Sequence, residues 1–186
     1  MLTQFSRTEL LLGKEAMNKL EGARVAVFGI GGVGGYVCEA LVRSGVGKLD
    51  LIDNDKVCMS NLNRQIIATR NTVGKYKTEV MKSRILEINP EAEVNIHNCF
   101  FLPENAEEFP FEEYDYVVDA VDTVTAKIEL VMKCKEVDGR EANTFRPSCQ
   151  DGDDYFFSPK SACCFSTSFS LCAFRSFSRR SCSSSE

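Results

Sequence analysis

Up to Val137 the apolar positions of this chain alternate between two rhythms, and beyond it they follow neither. Arg24 to Phe28 (RVAVF), Lys48 to Asp53 (KLDLID) and Tyr114 to Asp119 (YDYVVD) are short, nearly continuous apolar runs of the kind a parallel sheet buries. Glu93 to His97 alternates as a strand. Helical spacing falls between these runs. It predicts helices over Tyr36 to Ser44, Lys75 to Ile88 and Thr125 to Glu136, with a short one over Pro103 to Glu108. The helix from Lys75 stops before Asn89-Pro90, because the residue preceding a proline is pushed out of the helical region. At the start, Ser6-x-x-Glu9 ahead of three leucines predicts a capping box that opens a helix ending near Leu20. Asp55 to Asn71 is a long irregular crossover with one helical turn expected around Arg64 to Ala68. Strand and helix thus alternate four times, which implies an open parallel sheet covered by helices on both faces.

Past Val137 the chain holds no Val, Ile or Met, and Leu171 is its one leucine. Serine, phenylalanine, cysteine and arginine dominate (SACCFSTSFSLCAFRSFSRRSCSSSE). Residues 1–137 therefore read as one α/β domain, and 138–186 as an irregular tail. The tail is either disordered or translated out of its natural frame. Seven phenylalanines weigh against ordinary disorder, and an α/β enzyme needs further aliphatic strands here to complete its sheet. The frame change is the favoured reading, and it leaves the domain truncated.

Composition adds bounds. A chain of 186 residues with 44% apolar and 26% charged positions is long enough for one domain with a real core. No apolar run approaches the ~20 residues that cross a bilayer. The first residues carry acids and lack the apolar core of a signal peptide, so a cytoplasmic location without membrane contact is expected. The nine cysteines are irregularly spaced with no Cys-x-x-Cys, which predicts free thiols and no zinc. A net charge of −5 argues against general affinity for nucleic acid, though not against a local basic patch.

The chemistry concentrates between Val25 and Gln65. A buried strand runs into Gly29, Gly31, Gly32 and Gly34, and a helix opens directly after them. This is the strand, glycine turn and helix of a nucleotide-binding βαβ unit, Rossmann-like in plan. Such a turn alone fits a nicotinamide or flavin enzyme equally well. The second strand, however, ends in two acids, Asp53 and Asp55, and is followed by Ser60-Asn61-Leu62-Asn63-Arg64-Gln65. Asp53 is placed to hydrogen-bond a ribose.

GIGGVGG, LIDNDKVCMSNLNRQ, VGKYK and VVDAVD stand in the order and approximate spacing of the ThiF/MoeB/HesA family, which this chain resembles over residues 1–136. The segments FSRTELLLGKEAMNKLEGARVAVFGIGGVGGYVCEALVRSGVG and NRQIIATRNTVGKYKTEVMKSRILEINP are most similar to its tRNA threonylcarbamoyladenosine dehydratases. The resemblance implies ATP and magnesium as cofactors and adenylation of a carboxylate. It implies that Gly29, Gly31, Gly32 and Gly34 lie beneath the nucleotide and that Asp53 meets the ribose. Asp55, Ser60 and Asn61 would line the site, and Lys77 would stabilise the phosphates. Arg64 would reach those phosphates, in related dimers from the neighbouring subunit. Asp122 would hold Mg²⁺; Thr123 follows it where the family often has Asn or Ser. The implied partners are a tRNA carrying threonylcarbamoyladenosine, a second copy of the chain in a homodimer, and a sulfur-transfer protein.

Other features weigh less. His97, the single histidine, lacks a placed catalytic partner and reads as structural. From Arg64 to Arg84 the basic residues Arg64, Arg70, Lys75, Lys77, Lys82 and Arg84 face one acid, Glu79. They read equally as a tRNA-facing patch or as a solvated helix face plus two ATP ligands. Three functions compete with the dehydratase: adenylation of the C-terminus of a ubiquitin-like sulfur carrier, nicotinamide-dependent hydride transfer, and nucleotide binding by an inactive fragment.

Overall fold

The computed structural model describes residues 3–138 and 155–157. Four parallel strands, β1 (Arg24–Phe28), β2 (Lys48–Ile52), β3 (Glu93–His97) and β4 (Tyr116–Asp119), lie in the order β3-β2-β1-β4. The helices are α1 (Ser6–Leu12), α2 (Lys14–Gly22), α3 (Gly34–Ser44), α4 (Lys77–Ile88) and α5 (Val124–Asp138). The expected α/β plan is present. Strand order turns back at the β1–β4 seam, and the crevice at the carboxyl ends of such strands is where open α/β sheets take their ligands.

Each face of the sheet carries its own core. Val25, Val27, Leu49, Leu51 and Val118 project to one side, where Val37, Cys38 and Val42 of α3 and Met81 and Ile85 of α4 close over them. Ala26, Phe28, Ile52 and Val117 project to the other and meet Ala126, Leu130 and Cys134 of α5. On that side the strands leave more space, and aromatic rings fill it. Phe28 stands within 6 Å of Phe101, Phe109 and Phe111, edge-on to the first two and stacked on the third. The side chains come from two 3₁₀ turns and their flanks (Pro103–Glu108, Phe111–Glu113), so this connection acts as a packing layer rather than a bare loop.

Three local expectations are corrected. The first helix does not run through to Leu20: it breaks at Gly13, whose φ of +81° belongs to neither helix. The capping box is absent. Ser6 is the first helical residue, and its hydroxyl accepts from the Thr3 backbone N–H at 2.8 Å rather than capping a later turn. The stretch expected to hold a helical turn, Arg64 to Ala68, has only an isolated turn closed by Ala68 N–H to Gln65 O at 3.0 Å, and the 3₁₀ helix lies earlier, over Met59–Asn61. There the Asn61 side-chain oxygen accepts from Cys58 N–H at 2.9 Å and holds the turn closed.

The tail also departs from expectation at one point. A short strand, β5 (Tyr155–Phe157), pairs antiparallel with β4, opposing Tyr155 to Asp119 and Phe157 to Val117. A three-residue strand is too short to show a sequence period. Cys163 and Cys164, adjacent in the sequence rather than spaced as Cys-x-x-Cys, lie outside the described residues.

Candidate functional site

The glycine turn owes its shape to close backbone approach. A Cβ on Gly34 would lie 1.8 Å from the Gly29 carbonyl oxygen, and one on Gly29 would lie 2.4 Å from that of Ala120. Gly29 also has φ +91°, a conformation that side-chain-bearing residues rarely adopt. These contacts bring the end of β1, the start of α3 and the exit of β4 together at the seam. α3 therefore begins at the seam, where the positive end of its helix dipole favours an anion.

Asp53 anchors the turn from the next strand. One carboxylate oxygen accepts from the Ile30 N–H at 2.6 Å and the other from Asp55 N–H at 2.8 Å. The Asp53 side chain is 8% exposed. Lys77, the first residue of α4, stands against the same group. Its Nζ donates to Asp55 Oδ2 at 2.7 Å and lies 3.8 Å from Asp53 Oδ2. The two carboxylates make this burial possible, since lysine is seldom buried without a pair. Asp55 is 60% exposed, so the Lys77–Asp55 pair opens to solvent on the crevice side.

The crossover folds back onto this turn. Arg64 lays its stem against Gly32, with Cγ 3.9 Å from where a Cβ would be, and its guanidinium donates to the Ser60 carbonyl and to Asn63 Oδ1, both at 3.0 Å. The arginine stem is thus brought to the glycine turn of its own chain. Ser60 is exposed, whereas Asn61 is buried with its side-chain oxygen committed to the local turn. Asp122 is exposed just past β4, on the other side of the seam from Asp53 and Lys77. Among the described residues, no three His, Cys, Asp or Glu side chains are grouped to hold a metal ion.

Two residues absent from the sequence-based site belong in its description. Gln65 is 7% exposed beside Gly31, and its side-chain oxygen has no hydrogen-bond partner among the described residues. An amide followed by Ile66 and Ile67 is the sequence signal for such burial. Asp119, at the end of β4, is fully buried, with Lys127 Nζ 3.3 Å from both carboxylate oxygens. Burial lifts its carboxyl above the usual carboxylate range against the pull of Lys127.

His97 lies outside the crevice network. Its Nε2 is 3.5 Å from Asp50, its ring packs against Phe109, and its backbone carbonyl receives Asp53 N–H. The cysteines described, Cys38, Cys58, Cys99 and Cys134, are all free thiols, and burial pushes the Cys38 thiol far up. No described helix is long and apolar enough to cross a membrane.

The ThiF family model matches residues 5–171. The chain belongs to the ThiF family. Among its relatives, the tRNA threonylcarbamoyladenosine dehydratase of Bacillus subtilis is 49% identical over 138 residues, which cover 74% of this chain and 54% of that protein. The Haemophilus influenzae protein of the same name is 50% identical over 121 residues, 65% of this chain and 46% of that one. The Escherichia coli dehydratase, solved in complex with ATP, superposes with a TM-score of 0.70 at 44% identity, covering 72% of this chain and 55% of that one. The chain spans about half the length of the relatives it matches. The family match reaches past Val137, where the resemblance read from the sequence stops.

Proposed function

We propose that this chain carries the ATP-handling unit, within residues 1–137, of an ATP-dependent enzyme that dehydrates and cyclises N6-threonylcarbamoyladenosine in tRNA through an adenylated carboxylate. The observation that carries the reading is the group at the seam: a glycine turn closed by Asp53, with Lys77 and Arg64 beside it, in a chain 44–50% identical to enzymes of that name.

In this reading the N–H groups behind Gly31, Gly32 and Gly34 receive ATP phosphates, and Gly29 lets β4 close against the turn. Asp53 takes the ribose hydroxyls with its remaining lone pairs. Lys77 exchanges its bond to Asp55 for the phosphates, while Ser60 and Asn61 hold the loop from which Arg64 reaches them. The fixed fork of donors on Arg64 suits charge that grows on phosphoryl oxygens during displacement. Asp122, one exposed hard oxygen ligand, fits Mg²⁺, which is usually bound by one or two carboxylates with the remaining ligands from phosphate and water. The ion would neutralise the departing pyrophosphate. A substrate carboxylate oxygen displaces pyrophosphate from the α-phosphorus to give an acyl-adenylate. The substrate's own carbamoyl group then attacks that carbonyl, AMP leaves, and a ring closes with net loss of water. No protein nucleophile is needed, because attacking and accepting groups share one molecule.

A homodimer is supported by α1, which buries none of its residues and leaves Leu10 and Leu11 87% and 86% exposed. A cytoplasmic location, expected from the composition, and a sulfur-transfer partner, implied by the resemblance, are part of the proposal. Incubation with ATP, magnesium and tRNA carrying threonylcarbamoyladenosine tests the function. An ATP-dependent loss of one water mass from the nucleoside is expected. ATP turnover with an unchanged nucleoside, or turnover stimulated only by a small carrier protein, would sink it.

A further inference from the structure

We infer that the lobe formed by residues 54–76 is the surface that holds the RNA backbone, through Lys56, Arg70 and Lys75; this rests on the tRNA-directed reading above. The structure ties down half of the basic run counted in the sequence. Lys77 is buried against Asp55, Arg84 is bonded to Glu39, and Lys82, its charge retained, is fixed on the Val94 carbonyl at 2.8 Å. What remains is more compact and includes a residue from before the run.

The crossover is tied into one body. Val57 N–H donates to Lys75 O at 2.9 Å, Gly74 N–H to Val57 O at 2.8 Å, and Lys77 N–H to Asp55 O at 3.0 Å, with Lys56 and Tyr76 bridged antiparallel. Lys56 is thereby held close to Lys75, its Nζ 4.8 Å from the centre of the Tyr76 ring. Arg70 lies on the turn that leads into Lys75, which is fixed by the Thr72 hydroxyl donating to Ile67 O at 2.8 Å. Lys56, Arg70 and Lys75 are exposed, and among the described residues no carboxylate pairs with them. The only acid of 54–76 is Asp55, and Lys77 already occupies it.

Three unpaired cations on a rigid lobe stand out in a chain of net charge −5, which as a whole repels a polyanion. Their position matters as much as their charge. A tRNA-borne carboxylate must reach the α-phosphate, so the RNA surface has to border the nucleotide crevice. The lobe borders it through Arg64 on Gly32 and Gln65 on Gly31. The opposite bank, where α5 begins, presents Asp122 and the exposed apolar Val124 and Ile128 instead.

The test compares the full chain with the triple variant K56Q/R70Q/K75Q and the charge-reversed K56E/R70E/K75E. Binding of tRNA carrying threonylcarbamoyladenosine is followed by fluorescence anisotropy at several salt concentrations, and ATP binding by thermal shift. The neutral triple should weaken tRNA binding at least about tenfold and flatten the log-affinity against log-salt slope by about two to three. Charge reversal should weaken it further, and the ATP shift should be unchanged in both. If the parent chain binds tRNA and the variants match its affinity and slope, the lobe is not the RNA surface. If the parent shifts with ATP but shows no salt-dependent tRNA binding, the tRNA reading fails and the surface with it.

Discussion

Asp53 accepts a 2.6 Å hydrogen bond from the Ile30 backbone N–H, so the acid ending β2 fixes the glycine turn that follows β1. The same carboxylate has lone pairs left for a ribose, which makes it both a brace and a binding group. Asp53→Ala should weaken ATP binding by the value of a hydrogen bond to a charged group, about 1.5–3 kcal/mol, or roughly 10- to 100-fold in Kd. Isothermal titration with ATP checks this. Unaltered affinity would remove Asp53 from the site.

Lys77 is 7% exposed between Asp55 and Asp53 and begins α4. Lys77→Met keeps the apolar stem and deletes the charge. The expected result is loss of ATP–pyrophosphate exchange by more than about tenfold, the usual scale for removing one preorganised electrostatic contact. Exchange at the parent rate would show that Lys77 serves only the Asp55 pair.

Gly34→Ala forces a methyl to within 1.8 Å of the Gly29 carbonyl oxygen, and backbone must move to admit it. Overpacking of this kind costs about 1–3 kcal/mol, occasionally more. A lowered urea midpoint together with loss of the ATP-induced thermal shift is expected. A variant with parental stability would mean that the turn is looser than this geometry.

A buried ionic group away from the crevice contributes to the acid sensitivity of the fold. Asp50, 1% exposed, takes Arg24 Nε at 2.8 Å and Nη2 at 3.0 Å, with His97 at 3.5 Å. Burial would raise its carboxyl, but the bonds from His97 and Arg24 prevail and hold it below the usual carboxylate range. A carboxyl depressed in the folded state stabilises the fold above its unfolded value, near pH 4, and that stability is lost as pH falls through the lower folded value. Asp50→Asn should therefore cost about 1.5–3 kcal/mol at pH 7, because Arg24, 21% exposed, loses its two-pronged carboxylate and keeps only Glu113. It should also reduce the acid dependence of stability below pH 4. Urea titrations of both proteins from pH 2 to 7 report both effects.

Most of the sheet was legible because β1, β2 and β4 are buried on both faces while β3, at the sheet's edge, alternates, so Arg24–Phe28 and Glu93–His97 appear at the bounds their patterns predict. The helix through Gly13 was not, because a periodic apolar stripe crosses a glycine without recording its φ. Strand pairing and side-chain reach are non-local, which hid two features. No spacing rule in the sequence says that Lys77 will find Asp55 rather than solvent, or that half the basic run will be tied down by Glu39, Val94 and Asp55. The motif residues were found one by one. Their meeting at the β1–β4 seam is a property of the strand order.

That order also sets a timetable. β1, β2 and β3 are consecutive in the chain and neighbours in the sheet, and the Asp53–Ile30 and Lys77–Asp55 contacts lie wholly among them. A chain emerging from its amino end can therefore bring the Asp53 brace and the Lys77 pair to the glycine turn before β4 and Asp122 exist, and the turn takes its final shape only when Ala120 closes against Gly29.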